Sequence, residues 1–334
     1  VTLTVLPVSG LPEIGAGDDL AALIAGAVVL QDGDIVVITS KVVSKALGLG
    51  VLTDDRQTLV LQQSTAVVAE RSTPTGVTRV VAASAGPVMT GAGIDASNSE
   101  ELLLLPPDPD AAASQLRSAL EAATGVHLAV VLSDTSSRPW REGLSDFALG
   151  TSGLRRLDDL RGLADTHGRD LAVTVRNLAD EIASAADLVK GKVDRVPVAV
   201  VRGSASLLTD DPQPSLVRTG PTDWFALGWH EAVRDALGVT PGSPDAERIG
   251  LLSVSAEPLA DRLQRAVRVA AHGQPLIAAQ VDDDAVEFTD EDPVALGRFW
   301  ARVEVALAGE RLAWSAQRLA PDRVRLTVRD QDAL

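Results

Sequence analysis

Asp34-Ile-Val-Val-Ile-Thr39 runs directly into Ser40-Lys41, and Val126-His-Leu-Ala-Val-Val-Leu132 runs directly into Ser133-Asp134-Thr135. The apolar core of each stretch is short, unbroken and rich in β-branched residues, the pattern of a strand buried on both faces. Each then changes at once to hydroxyl and charged side chains. Further strands are expected at Thr2–Val8, Val77–Ala83, Leu171–Val175 and Val196–Val201. Between them lie helical segments: one capped by Asp18-Asp19 and running to about Val28, then Thr58–Glu70, Ala111–Ala123, Leu178–Val189 and Trp224–Leu237. Strands alternating with helices predict an α/β (α+β mixed) fold.

Gly238-Val-Thr-Pro-Gly-Ser-Pro244 is a run of breakers, and the main domain boundary is expected there. This gives one domain over residues 1–240 and a small α+β appendix over residues 245–334. The appendix shows helical segments at Pro258–Ala271 and Pro293–Leu307, an acidic turn at Asp282–Asp284 and a strand at Arg323–Arg329.

With 46% hydrophobic residues in 334, the chain can bury a sizeable core. It has no cysteine, which excludes disulfides and thiolate metal sites. A net charge of −16 repels nucleic acid and anionic membrane, so neither is expected as a partner. The apolar run Leu20–Leu30 is too short to cross a bilayer and has no basic flank, so a cytoplasmic location is expected. Of 30 basic residues four are lysines, clustered as Lys41 and Lys45, and as Lys190 and Lys192. An ammonium is a compact point charge that an arginine fork does not replace. Lysines kept in a chain that otherwise uses arginine mark places where that difference can matter; the alternative is that they simply face solvent.

No P-loop, dinucleotide fingerprint or Gly-x-Ser-x-Gly elbow is present, and His127, His167, His230 and His272 are isolated in sequence. What remains is polar clusters at strand ends, where α/β sheets bind ligands. They are Thr39-Ser40-Lys41, Ser133-Asp134-Thr135-Ser136-Ser137-Arg138, and Gly91-Ala-Gly-Ile-Asp95-Ala-Ser-Asn98. Carboxylates beside hydroxyls suit a hard cation such as Mg²⁺ or Mn²⁺, whose shell is completed by water and phosphates. Helix caps and Asx turns are the alternative for each string.

Residues 1 to about 240 resemble the coenzyme F420-0:L-glutamate ligase (γ-glutamyl ligase) family. The matching strings, in order, are Leu6-Pro-Val-Ser-Gly-Leu-Pro12, Ile38-Thr-Ser-Lys-Val-Val-Ser-Lys45, Ala92-Gly-Ile-Asp-Ala-Ser-Asn98, Leu104-Leu-Pro-Pro-Asp-Pro-Asp110, Ser133-Asp-Thr135, Ala179-Asp-Glu-Ile-Ala183 and Val200-Val-Arg-Gly203. The resemblance implies a GTP-dependent enzyme that joins L-glutamate to coenzyme F420-0 and extends a γ-linked polyglutamate tail. It also implies an intimate homodimer of mixed sheets.

Carried over by motif, Leu11, Pro12, Glu13 and Ile14 would lie against the guanine nucleotide, with Ser40, Lys41, Lys45 and Asn98 also holding it. Asp95 and Asp134 would bind a divalent metal, Mg²⁺ or Mn²⁺, and Thr135 would help with a second one; K⁺ is a further candidate ion. Asp95, Asp134 and Lys41 are the expected catalytic set. Two departures stand out. In Lys190-Gly-Lys192-Val193-Asp194, Lys192 occupies the position of a metal-binding glutamate found in some members. Either Asp194 holds the second metal or the lysines face the phosphates, which makes Lys190 and Lys192 candidate nucleotide contacts. The tail is also too short for the flavin-binding domain of two-domain members, so no FMN is expected. These departures keep two alternatives open: a catalytically impaired F420- or nucleotide-binding regulatory protein, and an acyl-phosphate ligase for another acid or amino acid.

Overall fold

The computed structural model describes residues 2–96, 101–139, 141–191, 194–220, 223–275 and 277–331. The chain divides into two compact units: residues 1–63 with 83–219, and residues 64–82 with 220–334. The breaker run 238–244 lies inside the second unit.

The first unit is built on a five-stranded mixed sheet. Its main elements are β1 (Thr4–Pro7), α1 (Leu20–Ala27), β2 (Ile35–Thr39), α2 (Ser40–Ala46), α3 (Pro109–Thr124), β3 (Ala129–Ser137), β4 (Leu144–Ser152), α4 (Leu178–Lys190) and β5 (Val198–Arg202). The strand order is β1-β5-β2-β3-β4. Only β2 and β3 run parallel; the other neighbours are antiparallel.

Alternation along the strands splits the core in two. Val36, Ile38, Val130, Leu132, Val198 and Val200 pack under α1, α2 and α3. Ile35, Val37, Ala129, Val131, Ala199 and Val201 pack under Ala179, Ile182, Ala183 and Ala186 of α4. Both apolar runs that suggested strands are therefore covered on both faces. The helices start on side-chain caps: Asp19 accepts from Ala22 N, Asp108 from Ala111 N and Asn177 from Asp180 N. A cap of this kind contributes about 1 kcal/mol.

Several expectations change. The helix expected at Thr58–Glu70 is a helix only over Arg56–Gln62; a strand takes over from Ser64 to Thr73. The β-branched Thr65, Val67 and Val68 favour the pleated sheet they join, and tertiary pairing overrides a helical period. The strand expected at Leu171–Val175 is instead Val175–Asn177, paired with Leu157–Asp159. Trp224–Leu237 becomes a helix only from Trp229 to Ala236, because Asp223 closes a turn on the Phe225 N–H at 3.0 Å.

The second unit contains the neighbouring strands Ser64–Thr73 and, but for its last residue, Gly76–Ala83, with α5 (Trp229–Ala236), α6 (Pro244–Ile249), α7 (Leu259–Ala271), β6 (Ala278–Val281), β7 (Ala285–Thr289), α8 (Pro293–Gly309), β8 (Leu312–Ala320) and β9 (Arg323–Asp330). Ser243 caps α6 and Pro244 opens it, so the breaker run starts a helix. The last four strands form an antiparallel sheet in the order β6-β7-β9-β8. Its core joins Val286, Phe288, Val324 and Leu326 to Leu263, Val267, Phe299 and Val303 of α7 and α8. Among the described residues no helix is long and apolar enough to cross a membrane.

Candidate active site

The polar residues expected to follow the second apolar run are inside a strand. β3 continues through Ser133-Asp134-Thr135-Ser136-Ser137 because β4, which the sequence reading did not anticipate, pairs with it along that length. The register shifts between Leu132 and Ser133: Leu132 faces Gly150 while Ser133 faces Ala148, leaving Leu149 unopposed. A bulge of this kind adds twist and re-aims the side chains beyond it.

On the parallel side Thr39 pairs with Ser133, so Ser40 and Lys41 leave β2 beside the point where Asp134 follows Ser133. Ser40, buried, opens α2, and Lys41 and Lys45 lie one turn apart on it. The Lys41 ammonium meets Asp95 at 3.1 Å. Asp95 is fixed by two backbone hydrogen bonds with Leu103, at 3.1 and 2.9 Å. It follows the tight turn Gly91–Gly93, in which Gly93 has φ +70° and a Cβ there would come within 2.5 Å of Leu105 Cδ1. Only glycine fits that position.

Lys45 pairs with Glu13 in the loop after β1, and this ion pair holds the Glu13 carboxyl below its ordinary range. In that loop Leu11 and Ile14 pack into the core, whereas Pro12 and Glu13 are exposed. The structure thus joins the Leu11–Ile14 loop, α2 and Asp95 through two lysine–carboxylate pairs, and the pairing of β2 with β3 sets Ser133 beside the start of α2. Asn98 and Lys192 lie outside the described residues.

Asp134 and Thr135 point to opposite faces of β3. Asp134 shares its face with Val130 and Leu132, the side of α2; its Oδ1 accepts from the Thr135 N–H at 2.8 Å. Thr135 shares the α4 face with Ser133, and there both hydroxyls donate to Asp146 of β4, at 2.7 Å from Thr135 and 2.9 Å from Ser133. Lys190, the last residue of α4, brings its ammonium 2.6 Å from both Ser133 Oγ and Asp146 Oδ2. The side chains of Lys190 and Asp146 are only 5% and 4% exposed. Lys190, a candidate nucleotide contact in sequence, is therefore committed to an interior ion pair. Asp194 is exposed beside Gly191, where a Cβ would meet its Oδ2 at 2.3 Å.

Sequence reading missed Asp146. It belongs to no motif string, and its one signal is an acid in a strand of alternating character. Asp180, noted only within its motif, receives the Ala148 N–H at 2.9 Å, and burial pushes its carboxyl above the ordinary range.

The donors at these strand ends are oxygens, the set that hard divalent cations prefer. No group of three or more Asp, Glu or His side chains able to hold a metal occurs among the described residues. An ion held by Asp95 and Asp134 alone would need water and substrate phosphate to complete its shell.

A family model described as F420-0:Gamma-glutamyl ligase matches residues 10–58 and 51–203. The chain belongs to this family. The family match makes the chain a ligase, and every motif string described above except part of the first falls within the matched residues. Proteins named "Coenzyme F420:L-glutamate ligase" are similar to it. The one from Archaeoglobus fulgidus is 41% identical over 222 residues, 60% of this chain and 87% of the relative. That from Haloarcula marismortui is 36% identical over 258 residues, 66% and 98% respectively. That from Methanothermobacter thermautotrophicus is 39% identical over 248 residues, 67% and 98%. Residues 204–334 lie beyond the stretch matched by the family model.

Proposed function

We propose that this ligase joins L-glutamate to the terminal carboxylate of coenzyme F420-0 at the expense of GTP, and repeats the addition to build a γ-linked tail. The observation that carries the reading is the meeting of Lys41 with Asp95 just beyond the carboxyl end of β2, where Thr39 pairs with Ser133 of β3. Side chains far apart in sequence gathered after a strand end support a phosphate-binding reading.

A carboxylate does not react with an amine at neutral pH, because its leaving group would be oxide. In the proposed course, a carboxylate oxygen of F420-0 forms a bond to the γ-phosphorus of GTP. The bond to the bridging oxygen breaks and GDP leaves. The amine nitrogen of glutamate then attacks the acyl carbon, phosphate departs with the C–O electron pair, and the nitrogen loses a proton. Catalysis of phosphoryl transfer rests mostly on positioning and charge neutralisation.

Lys41 and Lys45 offset phosphate charge in a chain of net charge −16. Each is now balanced by a carboxylate, so both are held in place rather than loose in solvent. Asp95 and Asp134 would hold Mg²⁺ or Mn²⁺, which would neutralise phosphate oxygens. The Leu11–Ile14 loop, tied to α2 through Glu13, would border the nucleotide. A homodimer and a cytoplasmic location belong to the same proposal.

The test is to incubate the protein with GTP, Mg²⁺ or Mn²⁺, L-glutamate and F420-0, and to follow product mass. Successive glutamate-sized increments, with GDP and phosphate released, are expected. GTP consumed only with another acid or amino acid would replace the substrate assignment. Binding of F420-0 and GTP without increments would make the chain a binding protein.

A further inference from the structure

We infer that the Lys190 ammonium stands in the place of a second cation on the α4 face of β3, so that this ligase takes one divalent ion rather than two. The inference rests on the proposed function for its first ion, held by Asp95 and Asp134. It concerns only the opposite face of the strand.

The argument is one of hydrogen-bond direction. A carboxylate accepts only, so the hydroxyl protons of Ser133 and Thr135 are both aimed at Asp146, over 2.9 and 2.7 Å. Their lone pairs are therefore turned away from it. A lone pair of Ser133 meets an N–H of Lys190 at 2.6 Å, and Asp146 Oδ2 meets another at 2.6 Å. A carboxylate oxygen of Asp146 and the hydroxyl oxygen of Ser133, converging on one point, are hard donors of the kind that hold a metal ion. Here they hold a covalently tethered positive charge.

The tether is rigid. Lys190 ends α4, and Gly191 follows with φ +61°. Ala179, Ile182, Ala183 and Ala186 of the same helix are packed into the core. The Lys190 side chain cannot swing away without leaving Asp146 charged and buried, which is costly. A divalent ion sharing Asp146 would be pressed against a fixed ammonium, and at such range the repulsion in the interior is strong. Placing the charge on a side chain also makes it independent of the metal supply. The hydroxyl of Thr135 then serves to hold Asp146 Oδ1 rather than a metal.

The test counts Mn²⁺ ions bound per chain at equilibrium, from the electron paramagnetic resonance signal of the free ion, in the full-length protein. Wild type is expected to bind one. Lys190→Met should bind one more than wild type, because the oxygens of Asp146 and Ser133 become available to the ion. Its melting temperature should also rise with Mn²⁺ more than that of wild type. Lys190→Met/Asp146→Leu, which removes both charges at similar volume, should return to the wild-type count and lose the extra response. If Lys190→Met is unfolded without metal, Mn²⁺ should fold it; failure to fold with Mn²⁺ while the double variant folds overturns the inference. Two ions in wild type, or an unchanged count in folded Lys190→Met, also overturns it. Wild type without any bound Mn²⁺ would break the metal reading of Asp95 and Asp134 instead. The gain of one ion in Lys190→Met would still be read on its own.

Discussion

The two units bury charge in different ways. In the first unit Asp146 and Lys190 are buried with Ser133 beside family motif residues, while Asp34 with Arg202 and Arg156 with Asp110 form further ion pairs. In the second unit the buried charges form an internal lattice. Glu70 takes Arg79 at 3.2 Å and the Gly242 N–H at 2.9 Å, Arg234 reaches the carbonyls of Gly250 and Ala246, and Arg265 bridges Glu257 and Glu310. There Arg79 links the neighbouring strands and Arg265 joins the segment before α7 to Glu310 after α8. Buried charge in itself therefore does not mark a site. What differs is the company a buried charge keeps: in the first unit Asp146 takes the hydroxyls of Ser133 and Thr135 besides the Lys190 ammonium, whereas in the second arginines and carboxylates answer one another, with Glu231 Oε2 buried and without a hydrogen-bond partner.

The largest expected effects fall on the buried pairs and should be alike in both units. Asp146→Ala leaves the Lys190 ammonium unpaired, and Arg265→Met leaves Glu310 unpaired; each should cost about 3–5 kcal/mol, read as a lowered urea midpoint. Activity should separate them. At a temperature where both are folded, Arg265→Met should ligate at a rate within about threefold of wild type, a small barrier change. A loss of about 100-fold in folded Arg265→Met would erase the distinction between the units.

Next comes Asp95→Asn, expected to lower ligation by about 100-fold, ~2.7 kcal/mol of barrier at 1.36 kcal/mol per tenfold. Its stability should move by less than about 1 kcal/mol, because the Lys41–Asp95 pair is partly exposed, at 20% and 35%. A melt shifted as far as that of Asp146→Ala would make Asp95 structural. Lys41→Arg should cost about tenfold in rate if a compact ammonium is needed, or ~1.4 kcal/mol. An unchanged rate would remove that argument.

The smallest effect separates the units by pH. His230 of α5 is buried, which pushes its imidazole below the usual value; Glu310 and Glu231 oppose the shift and Arg234 adds to it. Its Nδ1 lies 3.3 Å from Gly309 O and its Nε2 3.3 Å from Arg234. A folded value below the unfolded one means that the unfolded chain takes up the proton first. The contribution of neutral His230 to stability is thus present above pH ~6.5 and lost as the pH falls toward the folded value. His230→Gln should flatten the fall of the melting temperature between about pH 6.5 and 5. An unchanged slope would assign it to other groups.

The expectations differ in how far the chain could reveal them. DIVVIT and VHLAVVL were legible as strands because burial on both faces leaves an unbroken apolar run. The motif strings were legible because each is local. β4 was not, since its residues alternate only weakly and form a strand by pairing with β3. Asp146 was hidden for the same reason: its three partners lie at Ser133, Thr135 and Lys190, and no local pattern joins them. Thr58–Glu70 misled because its helical period is real at the start, while the sheet decides the rest.

By itself the sequence determined the mixed α/β class, the family, and the identities of the strand-end side chains, all properties of short windows or of their order. Tertiary structure alone decided which carboxylate Lys41, Lys45 and Lys190 meet. Lys41 and Lys45 stay at the site with Asp95 and Glu13, while Lys190 goes inside with Asp146. The physical reason is that a lysine reads the same anywhere in a sequence, whereas the energy of its charge depends on the partner and the burial it is given.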